Sequence, residues 1–469
     1  MARPITRGDD MLLETFLQIV SGWKLAFAQD RTAGRAIRQA LASLVCLGRR
    51  TLTRIIWVVG RENNNLSGEY SLHSRSEWCA EELFRPIARE ALQYCRGRFV
   101  GIVGDDTSIK KTGIRIKQAF WQRDPMSPKF NVNLRLGIRF LQFALVLPLH
   151  KTFQAAARTI PILFEEASAV KRPRKGRKNY EEEFKQYKEL RKTQNLCART
   201  VKCLDKTRLL LDDCQASDKI MVFIGDGAFC NRTIFSFQTE RTQLLVRARK
   251  DAKLCKRSDS PKRFYDEKKF TPQEVANDDS IRWKQTRLTY GGKTRLVRYK
   301  ELSDIYWETG AKRRSLRLFV VAPTAYRVRK TGRQRYRETA FLLTTVVKEN
   351  SKNLLQLYFD RWQIEVNHRE EKDTLGLGQA QLHNFTAVPK QPALVVAAYS
   401  ALIVAALIAY GPFRTDDYLP LPRWRANANR PSCLDLITLL RKQLDENIQI
   451  QNQLGIQTSF LRMVTTAAA

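Results

Sequence analysis

Two short apolar runs in the sequence each end on an aspartate. Asp105 follows "FVGIVG" and Asp226 follows "IMVFIG". Runs of this kind are typical of buried β-strands, and side chains converge where neighbouring strands end. Two carboxylates placed together there would suit a hard metal cation. Asp beside Gly is also common turn chemistry, which remains the alternative for each aspartate.

A third acidic residue belongs to a helix-like stretch, "LYFDRWQIEVNHREEKDTLGLG", residues 357–378. Tyr358, Arg361, Glu365 and Lys372 stand there at offsets 0, 3, 7 and 14. At about 100° per residue, these side chains fall within roughly 60° on one helix face. A solvated face with an ion pair between Arg361 and Glu365 is the alternative interpretation.

Three carboxylates beside a phosphate-rich partner make a coherent metal site. Mg²⁺ prefers oxygen ligands and is commonly held by one or two carboxylates and substrate phosphates. Two such ions can activate a water or a 3′-hydroxyl and stabilise the leaving oxygen of a phosphodiester. Arg361 and Lys372 would then neutralise phosphate charge.

The overall charge points to the same partner. Among 469 residues, 82 are Lys or Arg and 47 are Asp or Glu, which gives a formal net charge of +35. These cations are spread over the whole chain, which favours nucleic acid over an acidic membrane surface. The nine cysteines and four histidines show no zinc-like spacing. Charges interrupt the apolar residues near the N-terminus, so we expect a cytoplasmic protein.

One segment imitates a membrane span. Residues 393–410, "ALVVAAYSALIVAALIAY", carry no charge over 18 residues, which is the lower limit for crossing a bilayer. The alanine content, Ser400 and the position of Pro392, expected in the first turn, favour a buried helix instead. We therefore expect no membrane partner.

The remaining patterns indicate which elements position the acids. The spacing of apolar residues predicts helices over residues 1–97. A pair of helical runs around Gly48 fits either a helix-turn-helix that reads DNA or an ordinary helical hairpin. The stretch "KFNVNLRLGIRFLQFALVLPLH" predicts an antiparallel hairpin around Gly137. Basic, strand-like pieces with turn signals fill residues 250–340.

The helix pattern resembles a known signature. YxxRxxxExxxxxxK is typical of the YREK branch of bacterial insertion-sequence transposases, an insertion-sequence-four-like group with an Asp-Asp-Glu triad. "DDTSIKKTG" and "VFIGDGAF" are similar to the two aspartate motifs of that family, and "ETAFLLTTV" resembles its approach to the glutamate. The resemblance covers about residues 99–410.

This resemblance implies an α/β fold with an RNase H-like mixed sheet interrupted by a β-rich insertion subdomain, and helical N- and C-terminal regions. The implied domains are a helical DNA-binding region 1–97, the catalytic domain in two parts, 98–249 and 341–411, the insertion 250–340 and a helical C-terminal region 412–469.

The resemblance also implies a site. Catalysis and metal ligation fall to Asp105, Asp226 and Glu365, with two Mg²⁺ ions for which Mn²⁺ can substitute. Contacts to transposon-end DNA fall to Tyr358, Arg361 and Lys372.

Three neighbouring acids remain to be distinguished from this set. The family's first motif, Asp-any-Thr, selects Asp105, but the doublet leaves Asp106 as a substitute. Glu370 and Glu371 miss the signature register.

In the insertion, Trp283 and Trp307 are the tryptophans available to stack on an extruded base, and a core or turn role is the alternative for each.

The implied function is cut-and-paste DNA transposition: metal-dependent cleavage at transposon ends, and strand transfer into target DNA. A homodimer would hold two terminal inverted repeats, and the protein would be associated with the bacterial nucleoid. A hairpin is one of the routes open for second-strand cleavage. Two alternatives stay open. One is an RNase H-like nuclease without strand transfer, and the other is an inactive, transposase-derived DNA-binding protein.

Overall fold

The computed structural model describes residues 11–64, 66–113, 115–124, 127–128, 130–176, 178–327 and 332–456. Its helices are α1 (Met11–Ser21), α2 (Asp30–Val45), α3 (Leu52–Val58), α4 (Ser67–Ser74), α5 (Phe84–Leu92), α6 (Leu149–Thr152), α7 (Tyr180–Gln194), α8 (Leu196–Asp213), α9 (Arg232–Ser236), α10 (Pro272–Asn277), α11 (Glu308–Ala311), α12 (Ser351–Asp360), α13 (Trp362–Arg369), α14 (Ala387–Tyr410), α15 (Cys433–Glu446) and α16 (Ile448–Leu454). Its strands are β1 (Phe99–Lys110), β2 (Phe120–Arg123), β3 (Leu134–Leu147), β4 (Arg158–Glu166), β5 (Ile220–Gly225), β6 (Thr242–Arg247), β7 (Leu254–Arg257), β8 (Tyr265–Phe270), β9 (Lys284–Tyr290), β10 (Lys293–Ile305), β11 (Leu316–Val321), β12 (Ala325–Tyr326), β13 (Arg335–Tyr336) and β14 (Ala340–Thr344).

A ten-stranded mixed sheet organises the molecule. Its order is β2-β3-β1-β5-β6-β14-β11-β10-β9, and β4 also pairs with β3. β1, β5 and β6 are parallel neighbours, and the other pairs of this sheet are antiparallel. Helices dominate both terminal regions. The predicted fold class is confirmed, because this arrangement is consistent with an RNase H-like domain.

The central strands are apolar along their length because both faces of the sheet are covered. In β5, "IMVFIG", Met221 to Gly225 are all buried. Phe223 packs on the face that contacts the helical regions, while Val222 and Ile224 belong to a second apolar cluster. Burial on both faces removes the alternation of polar and apolar residues that a half-exposed strand would show.

The hairpin predicted around Gly137 is wrong. Gly137 lies inside the single strand β3, opposite Lys110 of β1 and Phe120 of β2. A Cβ at this position would lie 2.8 Å from the backbone oxygen of Ile109. The glycine is therefore explained by close packing between two strands and not by a turn.

The segment predicted as an insertion is rich in strands, but not all of them stand apart. β7 and β8 form a two-stranded sheet, and β12 and β13 form another. β9, β10 and β11 continue the main sheet beyond β14.

The apolar segment that imitates a membrane span forms the long helix α14. By length and composition it could cross a membrane, yet 83% of its most apolar window is buried inside the protein. It packs against α1, α2 and β4. The buried-helix prediction is confirmed, but the helix begins at Ala387, so Pro392 lies inside it and not in its first turn.

The pair of helical runs around Gly48 corresponds to α2 and α3. Arg50, between them, is only 9% exposed, and its Nε donates to the carbonyl oxygen of Ser43 at 2.9 Å. Leu52, Ile55 and Ile56 of α3 are buried. Arg50 is therefore held inside the fold, whereas the neighbouring Arg49 is exposed, so both the helix-turn-helix and the helical hairpin remain open.

Candidate active site

Asp105 lies within β1, and the strand continues past it to Lys110. The parallel pairing of β1 with β5 runs from Phe99 to Val103, whereas the antiparallel pairing with β3 continues to Lys110. Our prediction that the strand ends at the doublet was wrong, because β3 alone supports the second half. Asp105 stands where β5 stops pairing with β1.

Asp226 directly follows β5. Its Oδ1 accepts a hydrogen bond from the amide of Ala228 at 2.8 Å, which caps a short helical turn at Gly227–Phe229. The turn role predicted as an alternative is therefore present. The last pair of the β1/β5 register is Val103 with Ile224, so extending it by two residues brings Asp226 level with Asp105. Parallel neighbours lie about 4.8 Å apart, and partners at the same level face the same side.

The signature stretch forms one nearly continuous helical segment. α12 begins after Asn350, whose side chain accepts from the amide of Lys352, and Arg361 joins it to α13 in helical conformation. A π-helical turn, Glu370–Thr374, follows and contains Lys372. The regular 100° spacing that we assumed therefore fails for its last member, since a π turn holds more residues.

Glu365 and Lys372 nevertheless line the same cavity as Asp105. This cavity has a volume of about 550 Å³, and His368 and Asp106 also line it. Its remaining lining consists of Thr107, Ser108, Gln122, Arg123, Arg135 and Arg139. The helical segment thus delivers a carboxylate and a cation to the edge of the sheet that carries the first aspartate.

Arg361 and Tyr358 continue the same face of the segment. Arg361 Nη2 donates to Glu365 Oε1 at 3.2 Å, so the ion pair of the alternative interpretation exists. The face is not fully solvated, because the side chains of Arg361 and Glu365 are 16% and 34% exposed. Burial raises the pKa of Tyr358. The cations Arg361 and Arg247 oppose this rise and the charge of Asp226 adds to it. The phenol therefore lies within electrostatic reach of Asp226.

The two aspartates of the doublet have different surroundings. Oδ2 of Asp105 lies 3.9 Å from Nε2 of His368, and its Oδ1 accepts from the amide of Asp106 at 2.9 Å. Oδ2 of Asp106 instead lies 3.4 Å from Nε of Arg139. Because successive side chains of a strand alternate, only one of the two can face α13.

Glu370 and Glu371 both have partners inside the fold. Tyr399 of α14 donates its hydroxyl to Oε2 of Glu370 at 2.6 Å. Glu371 is fully buried, and Nε2 of Gln142 donates to its Oε1 at 3.0 Å. Both carboxylates are used in packing the helical segment against its neighbours.

Burial dominates the electrostatics of the ionisable groups that line the cavity. Burial raises the pKa of Asp105 to about 6, with His368 opposing the rise and Asp226 and Asp106 adding to it. Burial also raises the pKa of Glu365, against the effect of Arg361. Burial lowers the pKa of Lys372. Each shift disfavours the charged form and would be relieved by an opposite charge brought into the cavity.

The donor set suits a divalent cation in its chemistry. Asp105, Asp226 and Glu365 supply only carboxylate oxygens, which Mg²⁺ and Mn²⁺ accept, and a cation would offset the cost of burying the charge of Asp105. In the part of the chain that is described, no three His, Cys, Asp or Glu side chains are close enough to hold a metal ion as they stand. Oδ1 of Asp226 accepts from the amide of Ala228 and Oε1 of Glu365 accepts from Arg361, and each carboxylate has a second oxygen that could serve as a ligand.

Residues 200–401 match the family model described as Transposase DDE domain. The match supports a DDE transposase family. It includes Asp226 and the whole helical segment with Glu365, and it begins after Asp105. No curated protein matches the chain. The family match supports a transposase or nuclease type of enzyme that acts on DNA, which agrees with the charge of +35.

Sequence reasoning missed several residues of the site. His368 lies in the signature helix one turn after Glu365, and a histidine in a helical segment gave no signal of its own. Trp362, directly after Arg361, is 47% exposed and its ring centroid lies 5.2 Å from the guanidinium of Arg337. The sequence shows that Trp362 lies within the signature, but it does not show that the side chain is exposed.

The two tryptophans that we considered for base stacking occupy other places. Trp307 packs edge to face on Phe235, with ring centroids 5.4 Å apart. Trp283 has the cations of Arg298 and Lys300 over its ring, at 5.2 and 4.9 Å from the centroid. Both contacts fit the core or turn roles that were the alternative for them.

Proposed function

We propose that this protein is a DNA transposase of the YREK branch, which cleaves DNA at the ends of an insertion sequence and transfers the freed strand into target DNA. One observation carries the proposal. Asp105 and Asp226 lie just beyond the last paired residues of the neighbouring strands β1 and β5, and a single helical segment brings Glu365 and Lys372 to the cavity that Asp105 lines, which supports this assignment. The family match and the net positive charge support a DNA substrate.

Asp105, Asp226 and Glu365 are the proposed ligands of two Mg²⁺ ions, for which Mn²⁺ can substitute. When bound, such ions supply a polarised water or 3′-hydroxyl and stabilise the leaving oxygen of the phosphodiester. The chain itself holds the carboxylates partly buried, which strengthens their electrostatic interactions and limits competing water. Asp105 rather than Asp106 is the proposed first acid, since it faces His368 and the helical segment.

Arg361, Lys372 and Tyr358 are the proposed contacts to the end DNA. In the DNA-free protein, Arg361 neutralises Glu365. A phosphate beside the site would offer the guanidinium a second acceptor and free the carboxylate. Lys372 lines the same cavity, where burial and the nearby Arg135 lower its pKa, and an approaching phosphate would favour its charged form.

Trp362 is the tryptophan whose position suits stacking on an unpaired base. It precedes Glu365 by three residues, is about half exposed, and has Arg337 over its ring. Stacking of a base on an aromatic side chain contributes roughly 1–3 kcal/mol, which would help to hold a distorted strand beside the acids.

The remaining proposals concern assembly and organisation. Two copies would hold two terminal inverted repeats, as the symmetry of such repeats requires. We propose a bacterial cytoplasmic, nucleoid-associated protein, with the catalytic domain in residues 98–249 and 341–411, the insertion in 250–340, and helical regions in 1–97 and 412–469. The first of these helical regions would add DNA binding.

The test uses a labelled duplex carrying the inverted repeats that flank the gene. The purified protein is incubated with it in Mg²⁺ or in EDTA, beside the Asp226→Asn variant. Cleavage at the repeat boundary that needs Mg²⁺ and is absent in the variant is the expected result. Binding without any cleavage would indicate the inactive DNA-binding descendant instead.

A second substrate separates a transposase from a nuclease. A duplex already cut at the repeat boundary supplies the 3′-hydroxyl, and joining to a plasmid is then followed. Joined products are expected from a transposase. Cleavage of the intact duplex without joining of the pre-cut one would assign the protein as a nuclease of the same fold.

A further inference from the structure

A buried carboxylate without a role in the proposed chemistry lies next to the site. Glu371 is 0% exposed, in the π-helical turn. Its Oε1 accepts from Nε2 of Gln142 at 3.0 Å, and its Oε2 lies 3.5 Å from Nδ1 of His368. A buried carboxylate is costly to desolvate unless it has partners, and Gln142 and His368 are the partners that Glu371 has here.

The other nitrogen of the same ring points into the site. Nε2 of His368 is buried and, within the described ranges, has no hydrogen-bond partner. Oδ2 of Asp105 is 3.9 Å away from it. That distance exceeds a hydrogen bond by about 1 Å. A buried ring nitrogen without a partner, aimed at a proposed metal ligand, indicates an interaction that forms when the carboxylate moves.

The pairing of β1 with β3 places Asp105 and Gln142 next to each other in the sheet. Gln142 of β3 stands directly opposite Asp105 of β1 in the antiparallel register. Asp105 and Gln142 therefore face the same side of the sheet, toward the helical segment that carries His368 and Glu371. A series of neighbouring side chains thus runs from Gln142 through Glu371 to His368, and its last step, from His368 to Oδ2 of Asp105, is 3.9 Å.

We propose that His368 is a positioning residue that holds Oδ2 of Asp105 in its working orientation, with Glu371 and Gln142 fixing the imidazole. This rests on the proposed function of Asp105 as a metal ligand. Carboxylate ligands are usually oriented by a hydrogen bond from outside the metal's own shell. His368 supplies that bond to the oxygen that the Asp106 amide leaves open.

Either ring nitrogen of a histidine can carry a hydrogen, and a hydrogen on Nε2 makes that atom a donor toward Oδ2 of Asp105. The tests below compare a side chain that keeps such a donor with one that lacks it.

The test compares His368→Gln, which keeps an N–H donor, with His368→Leu, which has similar bulk and no donor. Mn²⁺ binding to each protein in complex with the end DNA is followed by the electron paramagnetic resonance of free Mn²⁺, against DNA alone. We expect Leu to weaken Mn²⁺ binding by roughly 10- to 100-fold and Gln to restore most of it. Affinity for the DNA in EDTA should not change.

His73 provides the matched control. It is a buried histidine of α4, with Nε2 3.0 Å from Oε1 of Gln39. His73→Leu should lower thermal stability and leave Mn²⁺ affinity unchanged. An equal loss of Mn²⁺ affinity in the His73 and His368 variants would overturn the proposal, because general destabilisation would then explain both.

Two further results would decide against it. Mn²⁺ affinity that is unchanged in His368→Leu, or reduced equally in Leu and Gln, would show that no positioning bond exists while leaving the proposed function intact. Failure of the wild-type complex to bind Mn²⁺ would instead remove the proposed function, and this inference with it.

Discussion

Nε of Arg139 lies 3.4 Å from Oδ2 of Asp106, whereas Oδ2 of Asp105 lies 3.9 Å from His368. Adjacent residues of one strand are thereby divided between two partners. Arg139 belongs to β3 and neutralises Asp106 from within the sheet. Asp105 faces the helical segment that carries Glu365. Alternation along β1 thus gives the two carboxylates different partners, although both line the same cavity.

The first prediction follows from this division. Asp105→Asn should reduce cleavage of the end duplex below detection, because the proposed site loses a charged ligand. Asp106→Asn should reduce it by less than about tenfold, since it removes a partly exposed ion pair of modest energy. Single-turnover cleavage rates in Mg²⁺ measure both. The reverse order of effects would assign Asp106 as the first acid.

A second prediction concerns the third acid. Glu365→Gln should abolish cleavage and leave DNA affinity nearly unchanged, because the charge it removes serves the metal and not the phosphate. Glu370→Gln is the control, since an amide oxygen can still accept from Tyr399, and it should retain activity. Gel-shift assays in EDTA measure the affinity. A clear loss of DNA binding by Glu365→Gln would contradict the proposed role.

Lys372 offers a third prediction. Lys372→Ala should weaken binding to the end duplex and reduce the slope of log affinity against log salt by about 0.9, the value for one phosphate contact. Lys442→Ala, an exposed lysine on α15, should leave that slope unchanged. Binding is measured by fluorescence anisotropy over a series of salt concentrations. A slope that stays the same in both variants would make Lys372 a solvated or structural residue.

The residues that could be predicted are those whose signal is local. Asp105, Asp226 and Glu365 follow from short motifs, and the buried helix α14 follows from its composition. Gln142, His368 and Glu371 did not follow, because Gln142 and Glu371 meet across 229 positions of sequence. The sequence also did not predict the length of β1. Its second half lacks an apolar run and is held in the sheet by pairing with β3.

The raised pKa of Asp105 predicts how stability depends on pH without metal. Its value rises from 3.8 to about 6 on folding, so the folded protein holds this proton more tightly than the unfolded chain. The resulting stabilisation is complete below about pH 4 and is lost as the pH rises through 6. Asp105→Asn does not ionise, so in EDTA at pH 7.5 it should be more stable than wild type by about 1–3 kcal/mol.

Denaturant melts at pH 4.5 and 7.5 measure this difference, which should fall to about a third of its value at the lower pH. Adding Mg²⁺ at pH 7.5 should stabilise wild type and not Asp105→Asn, since a cation favours the charged carboxylate only where one is present. If Asp105→Asn were less stable than wild type in EDTA at pH 7.5, this would contradict the conclusion that the ionised form of Asp105 destabilises the folded protein.

A final prediction tests the packing of the strands that carry the site. Gly137→Ala places a methyl group 2.8 Å from the backbone oxygen of Ile109 and 2.9 Å from both Oγ of Ser108 and Nε2 of Gln122. The side chains can turn away, but the backbone oxygen belongs to β1 and cannot move without disturbing the ladder. We expect a loss of about 1–3 kcal/mol in the free energy of unfolding.

Gly34→Ala, inside α2, is the matched control, because a Cβ there meets no atom within 4 Å. It should stabilise the protein by about 0.5–1 kcal/mol, since alanine loses less conformational freedom than glycine in a helix. Urea unfolding of both variants gives the comparison. If Gly137→Ala were as stable as wild type, β1 and β3 would not approach as closely as this register requires. Asp105 and Gln142, which depend on that register, would then no longer be held opposite each other.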